Sequence, residues 1–473
     1  MEVMLLMIDE ETARNVLVTA LSRGGDFAEI FAERRLVYNL RLEEGRVEEN
    51  TSGYELGAGV RVMRGESVAY AYTNDLDPAA LEETARVAAA SSREGTTKAV
   101  SLEKPLLALP RREEEHPVLL DVGAYARDGK IDLLRRADQA AREAGPHIIQ
   151  VVVMLGDARQ EVFIANSLGE MVEDTRVRVR LVVQAVAAKD GEIQTGHESP
   201  GMLGGYELFH ESTPEDAGRT AALQALTMLE ARPAPSGPMA VVIANGTGGV
   251  LFHEACGHSL EADAVYKKAS VFEGKLGRKV ASPLVNAYDD ATLINRWGSF
   301  SYDDEGVRAS RTPLIEEGEL RGFINDRKRS LRDGTAPTGN GRRQSYRFVP
   351  IPRMTNTYIE VGKSSREDVI ADTALGFYAR KLGGGEVNPV TGDFIFAVTE
   401  GYMIRNGKIA EPVKGATLIG NGPRVLMDID AVADDLDFDT GMCGKEGQAV
   451  PVCTGQPTLR VREMVIGGTS EVV

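Results

Sequence analysis

Residues 231–238 read Ala231-Arg232-Pro233-Ala234-Pro235-Ser236-Gly237-Pro238 and place three prolines within six positions. Proline fixes φ and has no amide to donate, so this stretch can be neither helix interior nor central strand. It lies near the middle of a chain of 473 residues, a length that suits two or three domains. A boundary is therefore expected here, dividing the chain into an N-terminal domain over 1–232 and a C-terminal domain over 233–473.

The two sides differ in pattern. Residues 9–24 have amphipathic helical spacing and end on glycine. Residues 27–73 alternate apolar and polar, with glycine-containing breaks, as an antiparallel meander does. Residues 77–92 return to helix, with Asp77 and Pro78 at its start. The order helix, strands, helix then recurs: a helix over 130–144, three or four strands over 149–190, and a helix over 213–230. In the last, Thr213 is expected as N-cap, with Glu215 and Asp216 in the first turn. A charged, proline-containing connection over 104–118 separates the two units. Beyond 238 the chain is glycine-rich and strand-rich, with turn signals at Asp304-Glu305-Gly306, Glu317-Gly318, Asn406-Gly407 and Asn421-Gly422. The expected class is α+β: an N-terminal α/β domain built as a helix–strands–helix pseudo-repeat, then a β-rich domain with one notable helix near its start.

Composition excludes several functions. The 54 basic and 71 acidic residues leave a net charge of 54 − 71 = −17, which argues against nucleic acid as the main partner. No apolar run approaches the roughly 18 residues of a membrane-spanning helix, and the start has no basic segment of a secretory signal. The three cysteines, Cys256, Cys443 and Cys453, are too few for a disulfide scaffold. Reduced thiols and a cytoplasmic location are expected.

The notable helix carries the chemistry. A short strand (239–245) and a glycine turn (246–249) lead into a helical run over 250–263, which contains His253-Glu254-Ala255-Cys256-Gly257-His258. Two histidines four apart share a helix face, but five apart is about 500° of rotation, an offset of roughly 140°. The pair can grip one ion only if the helix is bent or carries a wide π-type turn, which Gly257 would tolerate. Buried, hydrogen-bonded histidines are the plainer reading of the same residues. A catalytic zinc needs a third protein ligand and an open position. Cys256, Cys443, Cys453, Glu261 and Asp263 are candidates, and spacing does not choose among them. No glycine-rich stretch has the phosphate-binding GxxxxGK[ST] pattern; Gly383-Gly384-Gly385 reads as a turn or a close backbone approach. Asp303-Asp304-Glu305 reads as a turn, with a second metal site as the alternative. Arg342, Arg343 and Arg353 read as solvated or ion-paired, with peptide-carboxylate binding as the alternative.

The ordered segments FHEACGHSLEAD (252–263), YDDEGVRASRTPLIEEGEL (302–320), TGNGRRQSYRFVPIPRMTNTYI (338–359) and MCGKEGQAVPVCTGQPTL (442–459) give the chain a resemblance to the TldD/PmbA family, also called modulators of DNA gyrase, and to its TldD branch. The resemblance spans essentially the whole chain. It implies a zinc-dependent peptidase acting on unfolded or extended peptides inside an oligomeric enclosure. It implies His253, His258 and Cys443 as ligands of Zn²⁺ and Glu254 as general base on the metal's water, leaving Cys453 and Cys256 outside the ligand set. It also implies a homodimer, or a heterodimer with a metal-free TldE/PmbA-type subunit. The alternative is a non-catalytic peptide-binding or scaffold subunit whose metal is structural or absent. Substrate is expected to bind as an added β-strand.

Overall fold

The computed structural model describes residues 7–92, 105–109 and 115–470. The first half begins with helix α1 (Glu10–Leu21), capped by the Asp9 carboxylate, which accepts from the Thr12 amide at 2.8 Å. It buries Ala13, Val16, Leu17, Ala20 and Leu21, the single stripe that its spacing dictates. Strands β1 (Phe27–Glu43), β2 (Arg46–Arg64) and β3 (Ser67–Thr73) follow as the expected antiparallel meander, then α2 (Pro78–Ser91). The second unit has α3 (Arg127–Glu143), β4 (Ile148–Asn166), β5 (Glu170–Lys189) and α4 (Pro214–Leu229). The Thr213 hydroxyl caps α4, accepting from the Asp216 amide at 3.2 Å.

Residues 149–190 hold two long strands rather than three or four. Gly156, which suggests a break, sits mid-strand opposite Asn39, and the chain turns only before Glu170, where Gly169 has φ +91°. The two units also share one sheet, because β1 pairs antiparallel with β4 from Glu29–Asn166 to Glu43–Val152. Each half of that sheet keeps its own helices and core.

The proline-rich segment is not a free tether. Arg232–Pro233 forms the edge of a sheet beside Lys408–Lys414, and the Ala234 amide, fully buried, donates to the Lys414 carbonyl at 2.9 Å. An edge is where proline does no damage to a ladder. In that sheet, Leu375–Val387, β6 (Gly237–Ile243), Leu459–Gly467, Thr417–Asn421 and Asp393–Arg405 pair in order, and the last pairs back to the first. The ring therefore closes into a small barrel around Val241, Phe377, Phe396, Leu418 and Ile466. Gly383–Gly385 is part of a strand rather than a turn, at a place where the register with the neighbouring strand slips.

A third sheet lies alongside, ending in the hairpin β7 (Asp437–Lys445) and β8 (Gln448–Gln456), with β7 at its edge. Short helix α5 (Gly249–Ala255) packs between this sheet and the barrel. The half holds further short helices at Arg327–Asp333, Arg366–Ala371 and Gly422–Asp428, capped by Asp326, Ser365 and Asn421. None exceeds seven residues, too short to leave a readable helical period. Among the described residues no helix is long and apolar enough to cross a membrane.

The halves meet through buried charge. Arg61 of β2 donates to Glu29 at 2.6 Å and to Glu305 at 2.6 Å, Arg343 pairs with Glu29, and Arg176 donates to Asp304 at 2.6 Å. Asp303-Asp304-Glu305 is thus a buried junction between halves, and among the described residues it forms no metal-ligand cluster.

Candidate metal centre

Strand β6 leaves the barrel at Ile243, and the chain turns through Gly246, which has φ +65°. At Gly249 a Cβ would lie 2.5 Å from the Gly455 amide nitrogen, so only glycine lets the start of α5 seat on β8. The helix buries Leu251, Phe252, His253 and Ala255 and stops at Cys256, where φ is −129° and ψ −44°. A 3₁₀ turn over Gly257–Leu260 takes over. The expected helix to residue 263 is therefore corrected, and of the two expected distortions, a bend or a π-type turn, it is a break that turns His258 back toward His253. A Cβ at Gly257 would lie 2.3 Å from the Met354 sulfur, so a larger residue there must displace that buried side chain or the turn.

The break brings the histidine rings to 5.3 Å between centroids, nearly perpendicular at 81°. The third group arrives from across the fold on β7. Cys443 Sγ lies 3.2 Å from His253 Nε2 and 3.4 Å from His258 Nε2. Ligand atoms of these three side chains lie within 4.8 Å of one another, and among the described residues no fourth His, Cys, Asp or Glu joins them. A tetrahedral zinc with Zn–S of about 2.3 Å and Zn–N of about 2.0–2.1 Å holds its sulfur and nitrogen ligands about 3.6 Å apart. The observed separations fit that demand, and three donors leave one position open.

Burial raises the Cys443 thiol, but the charge of His253 and the hydrogen bonds from His253 and His258 outweigh it and bring the thiol down to about 4. The sulfur is thus a thiolate, the form that binds metal. His258 Nδ1 lies 3.0 Å from Glu261 Oε2. Burial opposes charge on this imidazole, but Glu261 and Cys443 hold it well above the usual histidine range. Glu261 is fully buried; His258 and Lys445 overcome its desolvation and bring the carboxyl down to about 2. Lys445 Nζ donates to Glu261 at 3.0 Å and to Asp263 at 2.6 Å. Glu254, on the helix turn between the histidines, has one carboxylate oxygen 3.7 Å from His258 Nε2, and its side chain is 36% exposed.

The other candidate ligands go elsewhere. Cys256 is buried in the apolar core beside Gly422, and burial pushes its thiol up. Cys453 is buried in β8, where burial pushes its thiol to about 11. Glu261 orients His258, as carboxylates beside ligating histidines commonly do. Asp263 binds Lys445. Arg353, fully buried, donates to the Cys443 carbonyl and to the Gln448 carbonyl and so holds the hairpin; Arg342 donates to the Met354 carbonyl at 2.6 Å. Sequence reasoning missed Lys445, although period-two alternation puts it on the Cys443 face of β7. Arg353, which read as solvated or ion-paired, is instead buried on carbonyls of a strand 90 residues away, a contact that no local pattern signals. The edge of β7 is also already in use. Three of its carbonyls, at Thr440, Gly441 and Cys443, accept from the side chains of Arg180, Trp297 and Arg353.

Three family descriptions match consecutive parts of the chain: PmbA/TldA metallopeptidase domain 1 over 28–92, its central domain over 123–229, and its C-terminal domain over 236–468. A metalloprotease TldD homologue of Haemophilus influenzae is 37% identical over 472 residues, 98% of this chain and 97% of the relative. A zinc metalloprotease TldD homologue of Saccharolobus solfataricus is 35% identical over 234 residues, 49% of this chain and 52% of the relative. A crystal structure from Thermotoga maritima, described as a modulator of a DNA gyrase, has the same fold: TM-score 0.80 at 24% identity, covering 97% of this chain and all of that one.

Proposed function

Because the chain belongs to the PmbA/TldD metallopeptidase family, we propose that it is a zinc-dependent peptidase, with His253, His258 and Cys443 as metal ligands and Glu254 as general base. The observation that carries this reading is the convergence of two imidazoles and a thiolate at the separations a tetrahedral ion requires, with a part-exposed carboxylate beside them. When bound there, zinc supplies Lewis-acid polarisation of a peptide carbonyl and acidifies water. Glu254 takes a proton from the attacking water and returns it to the leaving amine. Its exposure suits a group that must meet both water and substrate. Glu261 fixes the His258 ring through Nδ1, leaving Nε2 for the metal. Lys445 neutralises Glu261 and ties the Cys443 strand to the His258 turn. Arg353 holds the carbonyl of Cys443 and so the direction of its thiolate.

Unfolded or extended peptides are the substrates in this reading. Pairing with a second copy or a metal-free TldE/PmbA-type subunit would cover the side on which Glu254 is open. The test combines elemental analysis with hydrolysis of an unstructured peptide. Wild-type protein should carry about one zinc per chain and cut. Glu254→Gln should keep the zinc and lose activity by about 10²–10⁴-fold, the range for a general base. Zinc without cleavage in any wild-type preparation would favour the scaffold reading instead.

A further inference from the structure

A cavity of about 440 Å³ lies between the two halves, behind the hairpin that carries Cys443. It is separate from the metal centre. Met442 and Pro451 line it and are paired across the hairpin, and side-chain alternation points them away from the Cys443 thiolate. Its floor is one face of the first sheet, laid out in three cross-strand rows: Arg35–Gln160–Arg176, Val37–Ala158–Arg178 and Asn39–Gly156–Arg180. The small residues Gly156 and Ala158 in the middle strand leave the space. The roof brings Arg342, Arg343 and Trp297 from the second half.

The charge in this cavity is not balanced. Six arginines line it; Arg176 is paired with Asp304 and Asp174 and Arg343 with Glu29, which leaves 6 − 2 = 4, Arg35, Arg178, Arg180 and Arg342, without an ion pair among the described residues. Two aspartates also line it and both are already engaged, Asp157 by Lys130 at 2.6 Å and Asp304 by Arg176 at 2.6 Å. Three guanidinium groups bond only to neutral oxygens: Arg178 to the Trp297 and Ser299 carbonyls, Arg180 to the Ser199 hydroxyl and the Thr440 carbonyl, and Arg342 to the Met354 carbonyl. Among the described residues none of the three has a carboxylate partner. Arg180 Nε is buried and unbonded. Burial and the repulsion of Arg176, Arg342 and Arg35 hold Arg178 well below the usual range for its type. A guanidinium does not relieve such a position by losing its proton, so a buried group of this kind calls for an anion.

We propose that this cavity is a binding site for a carboxylate or phosphate group carried on a small apolar body. The arginine fork matches both oxyanions, and Val37, Met442 and Trp297 provide the apolar wall. The volume lies in the range of small-molecule sites. The ligand bridges β5 of the first half to the short strand Gly341–Arg342 and to the back of the Cys443 hairpin. It thereby couples occupancy of this cavity to the strand that supplies the metal's sulfur ligand.

The test is calorimetric titration of the full-length, zinc-loaded protein with phenyl phosphate and with benzene-1,3-dicarboxylate, at constant ionic strength. Trp297 fluorescence is followed in parallel, since the Arg180 guanidinium lies 5.8 Å from the centre of that ring. Saturable one-to-one binding is expected, weakened about tenfold in Arg35→Gln and in Arg180→Gln, one lost charge-assisted bond each. Arg35 is half-buried at the rim and is chosen so that the fold survives. A peptide substrate with a free or an amidated C-terminus separates two sources of the anion. If amidation raises KM in wild type but not in Arg180→Gln, the occupant is the substrate's own end; if KM is indifferent while the probes bind, it is a separate small molecule. No saturable binding of either probe, or binding unchanged in both variants, overturns the proposal. Binding is read without turnover, so this result stands apart from the outcome of the zinc and Glu254 experiments.

Discussion

Replacing Arg61 with methionine tests how the two halves are held together. The Arg61 side chain is 1% exposed and is clamped between Glu29 and Glu305, both 0% exposed, at 2.6 Å each. Methionine fills much of the volume and removes the charge. Glu29 keeps its pairing with Arg343, and Glu305 keeps the Arg327 amide at 2.6 Å, so neither carboxylate is wholly abandoned. Removing one partner of a buried pair costs about 3–5 kcal/mol. Two carboxylates each lose one of two or more partners here, so the expected loss is about 4 kcal/mol, a large share of the 5–15 kcal/mol typical of a folded domain. Urea unfolding at pH 7.5 should read it through Trp297, the single tryptophan, which sits 8% exposed at the same junction. The sign with pH is also fixed. Burial raises the Glu29 carboxyl, but Arg61 and Arg343 together hold it below its ordinary 4.5. Its stabilising contribution is therefore present above pH 4.5 and is lost as pH falls through the folded value. The penalty in Arg61→Met should accordingly shrink as the solution is acidified toward pH 4, where the stranded Glu29 carboxyl takes up a proton. Adding Glu305→Gln to Arg61→Met should recover part of the loss at neutral pH by removing one stranded charge. A loss under about 1 kcal/mol, or one that does not change with pH, would refute the argument that buried pairing joins the halves.

Cys443→Ala should release zinc or bind it far more weakly, while Cys453→Ala should retain it; elemental analysis decides, and the reverse pattern would move the third ligand. Glu261→Gln should keep the fold and weaken zinc binding about 10–100-fold in a chelator competition, the usual effect of losing a carboxylate behind a ligating histidine. Gly257→Ala should also lower zinc affinity, because its Cβ would meet the Met354 sulfur at 2.3 Å and push the His258 turn aside; unchanged affinity would mean that the turn yields freely. Asp326 caps the helix over Arg327–Asp333, and burial, with Glu305 nearby, pushes its carboxyl up to about 7. An acid raised in the folded state costs stability progressively as pH rises from about 4 to 7. Asp326→Asn, which can still accept the capping bond, should be more stable than wild type by about 1–3 kcal/mol at pH 8 and no different below about pH 4.

The sequence by itself determined the local elements and their order. The Thr213 cap, the stripe of α1 and the alternation of β1 to β3 are short-range signals, and the structure carries each of them. It also determined that His253 and His258 could meet only on a distorted helix, because rotation per residue is fixed by the backbone. The tertiary structure decided the rest. It chose a break at Cys256, where φ is −129°, over a π-type turn. It brought Cys443 to histidines 190 and 185 residues away, and no local period encodes a contact at that distance. It placed Asp304 and Glu305, which read as part of a turn, and Arg343, which read as solvated or ion-paired, in a buried joint, because their charged partners lie on the other half of the chain. It also set Arg176, Arg178 and Arg180 of an ordinary alternating strand against Arg342, a cluster that appears only when the two halves of the chain come together. Spacing along the chain fixes which residues share a face; only packing fixes what that face meets, and the charges that determine both the metal centre and the cavity behind it are set by what they meet.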